Sequence, residues 1–211
     1  MMRRMIGWCA AALLLVGATA VQASWEEARD SVEQASAQMM RVLENEEFRK
    51  EEKLAELMSE IDVILSPVVD FDYISKLVMG KYYRKATQQE QDYFSGVFKN
   101  TLIRTYARSL SGFDIVRYEI APEGSPSPKP DKQVVSVYVY SENGTRYTLV
   151  YYMLKQPDGW KLVNVLVDGI NLRLNFKNQF SNMVSQASGN VGQVIADWEA
   201  LVATDSTKEG A

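Results

Sequence analysis

The chain reads as an α+β domain in which a curved antiparallel sheet of about four strands packs against several helices. Three observations predict it. Apolar side chains recur at three- and four-residue steps across segments between Trp25 and Arg108, and again between Leu172 and Val202, which is the period of half-buried helices. Between those regions, short alternating segments are separated by turn signals at Asn143-Gly144 and Pro157-Asp158-Gly159. Finally, Val135, Val137 and Val139, then Tyr147, Leu149, Tyr151 and Met153, then Val163, Val165 and Val167 form matching alternate sets that can share one face of a sheet.

The N-terminus begins with Arg3 and Arg4, an apolar run from Met5 to Val21, and the small-x-small pattern Val21-Gln22-Ala23. That order predicts a secretory leader over residues 1–23, cleaved after Ala23. One domain is expected over 24–204, with a flexible tail over 205–211. Cys9 leaves with the leader, so the exported form has no thiol for a disulfide, a nucleophile or a metal site. The chain contains no histidine. Ser-His-Asp and Cys-His catalysis are excluded, along with the commonest zinc ligand set. No Walker A loop, G-x-S-x-G elbow or G-x-G-x-x-G turn occurs. Loss of Arg3 and Arg4 takes the formal net charge from −4 to about −6, the wrong balance for a nucleic-acid binder. No later segment is apolar enough over a long enough run to span a bilayer.

The first mature helix is expected over Trp25–Glu44, with Trp25, Ala28, Val32, Ala35, Met39 and Leu43 on one side. Its Met39-Met40 pair reads either as an adaptable lipid-contacting patch or as ordinary core, with the weight on core. A second helix, Glu51–Leu65, carries Leu54, Leu57, Met58, Ile61 and Leu65 and stops at Pro67. A third, Phe71–Met79, ends at Gly80 and is followed by the charged aromatic corner Lys81-Tyr82-Tyr83-Arg84-Lys85. Thr87 and Glu90 have capping-box spacing and open a long helix whose stripe is Phe94, Val97, Phe98, Leu102 and Tyr106. That stripe is too wide for a coiled-coil seam and needs a large apolar cover.

Ser111-Gly112 breaks the helix, and Phe113–Ile120 is the first expected strand. The proline-crowded segment Ala121–Lys132 is a surface loop. Val134–Tyr140 and Arg146–Leu154 make a hairpin about Asn143-Gly144, and Trp160–Asp168 is the last strand. Helices are expected over Leu172–Gln186 and Val191–Val202. From the residues alone, the interface between sheet and helices is either a filled core or a cavity. Its supply of tyrosine, phenylalanine and methionine suits a wall that meets a flexible chain.

Two well-separated stretches carry a family resemblance. Leu65-Ser66-Pro67-Val68-Val69-Asp70-Phe71-Asp72, followed by Met79 to Thr87, and then Gly159 to Val165 leading to Asp168-Gly169-Ile170-Asn171-Leu172, resemble the MlaC family of periplasmic phospholipid-binding proteins. The resemblance covers nearly the whole mature chain. It implies a non-enzymatic, monomeric carrier in the periplasm of a Gram-negative bacterium, with no cofactor or metal and a glycerophospholipid as ligand. Such a carrier would move lipid between an outer-membrane lipoprotein–porin assembly and an inner-membrane ABC transporter complex, maintaining outer-membrane lipid asymmetry.

Acyl chains would then enter between sheet and helices. On that reading the helical wall is Leu77, Val78, Tyr82, Tyr83, Phe94, Phe98, Leu102 and Tyr106. The sheet wall is Val135, Val137, Val139, Leu149, Tyr151, Met153, Val163, Val165, Val167 and Ile170. Lys81, Arg84 and Lys85 are expected to meet a headgroup or a partner. Asn164 and Asp168 fall on the other phase of the last strand and are expected to satisfy loop backbone groups. Two other readings stand beside this one: a lipid-free adaptor that binds protein, and a histidine-independent enzyme. The acids open to the latter, Asp70, Asp72 and Asp168, show no partner pattern.

Overall fold

The structure, a computed structural model, describes residues 15–112 and 115–205. The leader and tail expected at the two ends therefore lie largely outside the described residues. Helix α1 is Leu15–Leu43, longer at its start than the periodicity suggests. Two 3-10 turns, Glu46–Arg49 and Glu51–Lys53, lead to α2, Leu54–Leu65. Helix α3 is Phe71–Met79 and α4 is Gln88–Gly112, separated by the 3-10 corner Gly80–Lys85. The expected capping box is formed at the start of α4. The Thr87 N–H donates to Glu90 Oε2 at 2.7 Å, and the Glu90 N–H donates to Thr87 Oγ1 at 3.2 Å.

The sheet is an antiparallel meander of five strands in sequence order: β1, Ile115–Ile120; β2, Lys132–Ser141; β3, Arg146–Gln156; β4, Gly159–Val167; and β5, Ile170–Asn171. The sequence expectation of about four strands omitted β5, which is two residues long. Asp168 (φ 47°) and Gly169 (φ 85°) both take left-handed backbone, the geometry of a tight primed turn that folds β5 back on β4. Asp168 Oδ1 also accepts from the Thr148 N–H at 2.8 Å, a backbone group of strand β3 where a loop group was expected. Asn171 then caps α5, Leu172–Gln186, by accepting from the Leu174 N–H at 3.0 Å. Helix α6, Val191–Asp205, follows.

Two register shifts curve the sheet, one between Ile115 and Arg117 and one opposite Tyr152 and Met153. The second reassigns faces in β4. Tyr151 pairs with Val165 and Tyr152 with Asn164, but Met153 pairs with Leu162, so Val163 is the extra residue of a bulge. The alternating set Val163, Val165 and Val167 is thereby corrected to Leu162, Val165 and Val167. A strict period of two holds only while the ladder is uninterrupted.

The linker between α2 and α3 is stitched to the sheet. The Leu162 N–H donates to Val68 O at 2.7 Å and the Asp70 N–H donates to Leu162 O at 3.1 Å, forming a parallel bridge between Val69 and Leu162. This covers the edge of β4 where β5 is absent. Asp70 Oδ1 accepts from the Tyr73 N–H at 2.9 Å as the cap of α3, and its Oδ2 accepts from Gln156 Nε2 at 3.1 Å. Lys161 Nζ donates to Pro67 O at 2.6 Å.

The core has three parts. An all-helical cluster gathers Phe71, Ile74 and Val78 of α3, Phe94 and Phe98 of α4, and Phe180, Val184, Ile195 and Trp198 of α5 and α6. A second joins α1, α2 and α4 through Met39, Leu57, Ile61, Ile64, Ile103 and Ala107. The third packs Ala28 and Val32 of α1 onto Val135, Val137, Met153 and Trp160 of the sheet. The aromatic stripe of α4 is thus covered mainly by α5 and α6, while α1 covers the sheet. Phe94 stands edge-on to Phe180 and Trp198, with centroids 4.9 and 5.4 Å away. Phe94→Ala is expected to cost about 3–5 kcal/mol, measured by urea denaturation with tryptophan fluorescence as the probe.

Candidate functional site

A cavity of about 120 Å³ opens where the three clusters meet. Helix α1 contributes Ser31, Val32, Ala35, Ser36, Met39, Met40 and Leu43 along one side. These positions lie within the amphipathic face that covers the sheet, so the same periodicity that makes the helix also builds the wall. Leu65 enters from the end of α2, Val68 and Val69 from the stitched linker, and Tyr106 from the far end of the α4 stripe. The sheet supplies Ile115, Tyr118, Val137, Val139, Leu149, Tyr151, Met153 and Leu162. No lining side chain carries a formal charge. A larger concavity of about 520 Å³ is a mostly polar cleft, with Asp70, Asp72, Asp92, Asp158, Lys99 and Lys161 on its wall.

Tyr106, Val137, Val139, Leu149, Tyr151 and Met153 stand on the cavity wall, where sequence reasoning put them. The other expected wall residues are placed elsewhere. Val78, Phe94 and Phe98 belong to the buried all-helical cluster, with Tyr82, Tyr83 and Leu102 packed against it. Leu77 is half-buried on the same helix as Val78. The reason is that α4 turns its first half toward α5 and α6, a cover that periodicity does not identify. Val135 is fully buried one pair along from Val137, in the cluster formed with α1. Val163 is buried at the bulge, and its carbonyl accepts from Arg173 Nη1 at 3.1 Å. Val165 and Val167 lie opposite Tyr151 and Leu149, beyond the lining set. Ile170 is 56% exposed on β5. Lys81, Arg84 and Lys85 are exposed on the 3-10 corner and share no part of the cavity.

Met39 and Met40 both line the cavity, and Met39 is at the same time buried in the core cluster of α1, α2 and α4. Their unbranched thioethers repack at low cost around an occupant of variable shape. Leu162, Leu65 and the linker residues Val68 and Val69 were missed because a bulge and a non-local bridge place them. The two family-like motifs were the available signal, and it is at Val68–Leu162 that they touch.

The polar groups of the wall are neutral hydroxyls. Tyr118 donates to Glu33 Oε1 at 2.8 Å; burial, with the adjacent carboxylate, pushes its hydroxyl pKa up to about 12. Burial alone pushes Tyr106 up to about 12, although 39% of that residue's surface is accessible, because the accessible part includes cavity wall. Tyr151 is shifted upward by burial and then by the neighbouring Tyr106 hydroxyl. Helix α1 is moored to the sheet through Trp25 Nε1 to Val134 O at 3.2 Å and Trp160 Nε1 to Glu27 Oε2 at 3.1 Å, with Lys155 also donating to Glu27. Among the described residues no group of acids, cysteines or histidines could hold a metal ion. Nor is any helix there long and apolar enough to cross a membrane.

Comparison with known proteins follows the same lines. The family model described as MlaC protein matches residues 33–200. The toluene tolerance protein ttg2D of Pseudomonas putida is 33% identical over 141 residues, which is 66% of this chain and 65% of that protein's length. A phospholipid-binding protein from Ralstonia solanacearum, solved in complex with a phospholipid, superposes with a TM-score of 0.70 at 26% identity. That match covers 85% of this chain and 98% of the other.

The three cavity-wall tyrosines give an alkaline signature. Free tyrosine ionises near 10, so the folded values for Tyr106 and Tyr118 lie above the unfolded one. Their contribution to stability is complete below about pH 10 and is lost as pH rises towards 12. Phenolate absorbance is expected to show late-ionising tyrosines near pH 12, and Tyr106→Phe is expected to remove one of them.

Proposed function

Because the chain belongs to the MlaC family, we propose that it is a periplasmic carrier that holds a glycerophospholipid by its acyl chains. It shuttles that lipid between an outer-membrane lipoprotein–porin assembly and an inner-membrane ABC transporter complex, and so maintains outer-membrane lipid asymmetry. The observation that carries this reading is the uncharged, apolar cavity between the curved sheet and α1. The phospholipid in the Ralstonia protein of the same fold supports it. The leader expected over residues 1–23 supports export.

The physics of the task matches the wall. Two acyl chains of about 30 methylenes in all lose roughly 25 kcal/mol on leaving a bilayer for water, at about 0.8 kcal/mol per CH₂. A carrier has to replace that burial with a surface that is equally apolar and free of charge. Tyr106, Tyr118 and Tyr151 present neutral hydroxyls, so the wall adds no ionic penalty to the tails and the phosphate stays outside. Pockets that enclose drug-sized ligands occupy roughly 300–1,000 Å³, whereas this cavity is about 120 Å³. Loading therefore separates α1 and the linker from the sheet, with Met39 and Met40 repacking around the chains. No catalytic step is assigned to any residue. Asp168, an acid open to such a role from sequence, has its Oδ1 bonded to the Thr148 backbone.

Native mass spectrometry followed by lipid extraction tests the reading. A stoichiometric mass increment identified as glycerophospholipid is expected. A bare mass that persists after incubation with liposomes overturns the proposal in favour of a lipid-free adaptor. Val139→Arg and Leu149→Arg place a cation on the wall and are expected to lower lipid content roughly tenfold or more, with far-ultraviolet circular dichroism retained.

A further inference from the structure

The charged corner between α3 and α4 is larger in three dimensions than in sequence. Lys81, Arg84 and Lys85 are exposed there, and so is Lys76 one turn earlier on α3. Lys177 of α5 joins them across a glycine. A Cβ built on Gly80, whose φ is +56°, would lie 3.2 Å from Lys177 Cε, so the bare backbone lets that chain lie against the corner. Two tyrosines underlie the cations. Lys76 Nζ is 5.3 Å from the Tyr83 ring centre, and Lys81 and Lys85 Nζ are 5.0 and 5.8 Å from the Tyr82 ring centre.

Among the described residues, none of these five cations forms an ion pair. Nearby acids are otherwise engaged: Glu90 closes the capping box with Thr87, and Asp72 accepts from Ser95. In a chain of net charge −4, five exposed cations without ion-pair partners at one corner form a local field opposite in sign to the whole. The corner shares no residue with the cavity, so it does not serve as part of the cavity wall.

We propose that the corner formed by Lys76, Lys81, Arg84, Lys85 and Lys177 docks the protein transiently on the surface of an anionic phospholipid bilayer. Three features favour a bilayer over an acidic protein. Four of the five cations are lysines, which protein interfaces disfavour relative to arginine but which suit diffuse contact with many phosphates. The aromatic rings are half-buried and roofed by lysines, so no free anchor side chain stands ready for a partner's pocket. Clustered Lys and Arg are the ordinary signature of anionic-lipid recognition, and tyrosine favours the membrane–water interface. The inference rests on the carrier reading for its purpose, since a carrier has to reach the bilayers it serves.

The test is flotation of the purified protein with vesicles of phosphatidylglycerol in phosphatidylcholine, and with phosphatidylcholine alone. Flotation is expected only with the anionic vesicles, and it is expected to fall as salt rises. Each cation near such a surface is worth roughly fivefold in partitioning, so Lys81→Gln, Lys85→Gln and Lys177→Gln combined are expected to weaken flotation by roughly a hundredfold. The same three positions changed to arginine are expected to retain it. Equal flotation with both vesicle types, none with either, or undiminished flotation of the glutamine variant overturns the proposal. So does an anionic-vesicle result that is negative for a protein which binds an acidic polypeptide through these lysines. Co-purified lipid, measured on the same preparations, reads the cavity separately. Normal lipid without charge-dependent flotation sinks the docking surface alone, and flotation by a protein that never takes lipid sinks the carrier reading alone.

Discussion

Two backbone hydrogen bonds at Leu162 tie the linker between α2 and α3 to the sheet. Val68 O accepts from the Leu162 N–H, and Leu162 O accepts from the Asp70 N–H. Pro67 lies just past the end of α2, in a turn where the Val68 and Val69 N–H groups both donate to Leu65 O, and that turn sets Val69 beside β4 as a short parallel bridge. Asp70 then starts α3 with one carboxylate oxygen and reaches Gln156 with the other. The stitch brings Leu65, Val68, Val69 and Leu162 to the cavity together. Without it, β4 would present unpaired backbone along that edge, and the α2–α3 linker would lose its frame on the sheet.

The distribution of apolar side chains follows from that frame. Rigid aromatic rings gather where helices pack on helices, with Phe94, Phe98, Phe180 and Trp198 in mutual contact. Longer and more adaptable side chains line the junction between helix and sheet, above all Met39, Met40 and Met153. One region gains stability from close packing. The other retains a cavity of about 120 Å³ beside a sheet interrupted by two register shifts. Charge is divided in the same manner. The cavity wall holds none, whereas the unpaired cations of the α3–α4 corner face solvent.

Much of the local structure was legible from sequence because its causes are local. Gly80 ended α3 and Thr87 with Glu90 opened α4 as their spacing predicted. The hairpin formed about Asn143-Gly144, with Gly144 at φ 82° and the Gly144 N–H donating to Ser141 O at 3.0 Å. Helices α5 and α6 began at the expected Leu172 and Val191. The wall was legible on β2 and β3, where Val137, Val139, Leu149, Tyr151 and Met153 keep a regular period of two. It was lost on β4, where one extra residue moves Leu162 to the face assigned to Val163.

The amino-acid sequence by itself determined the elements, their order, the inward face of most of them and the absence of histidine, because periodicity, capping and composition act through neighbours along the chain. Only the tertiary structure decided which inward faces meet. It directed Phe94 and Phe98 towards Trp198 and Met39 and Met40 towards the sheet, and it joined Lys177 to a corner nearly a hundred residues away in sequence. An apolar stripe encodes that it will be buried, but the hydrophobic effect has no direction. The choice of partner rests on long-range constraints, here the bridge at Leu162 and the bulge at Val163, which no single segment contains.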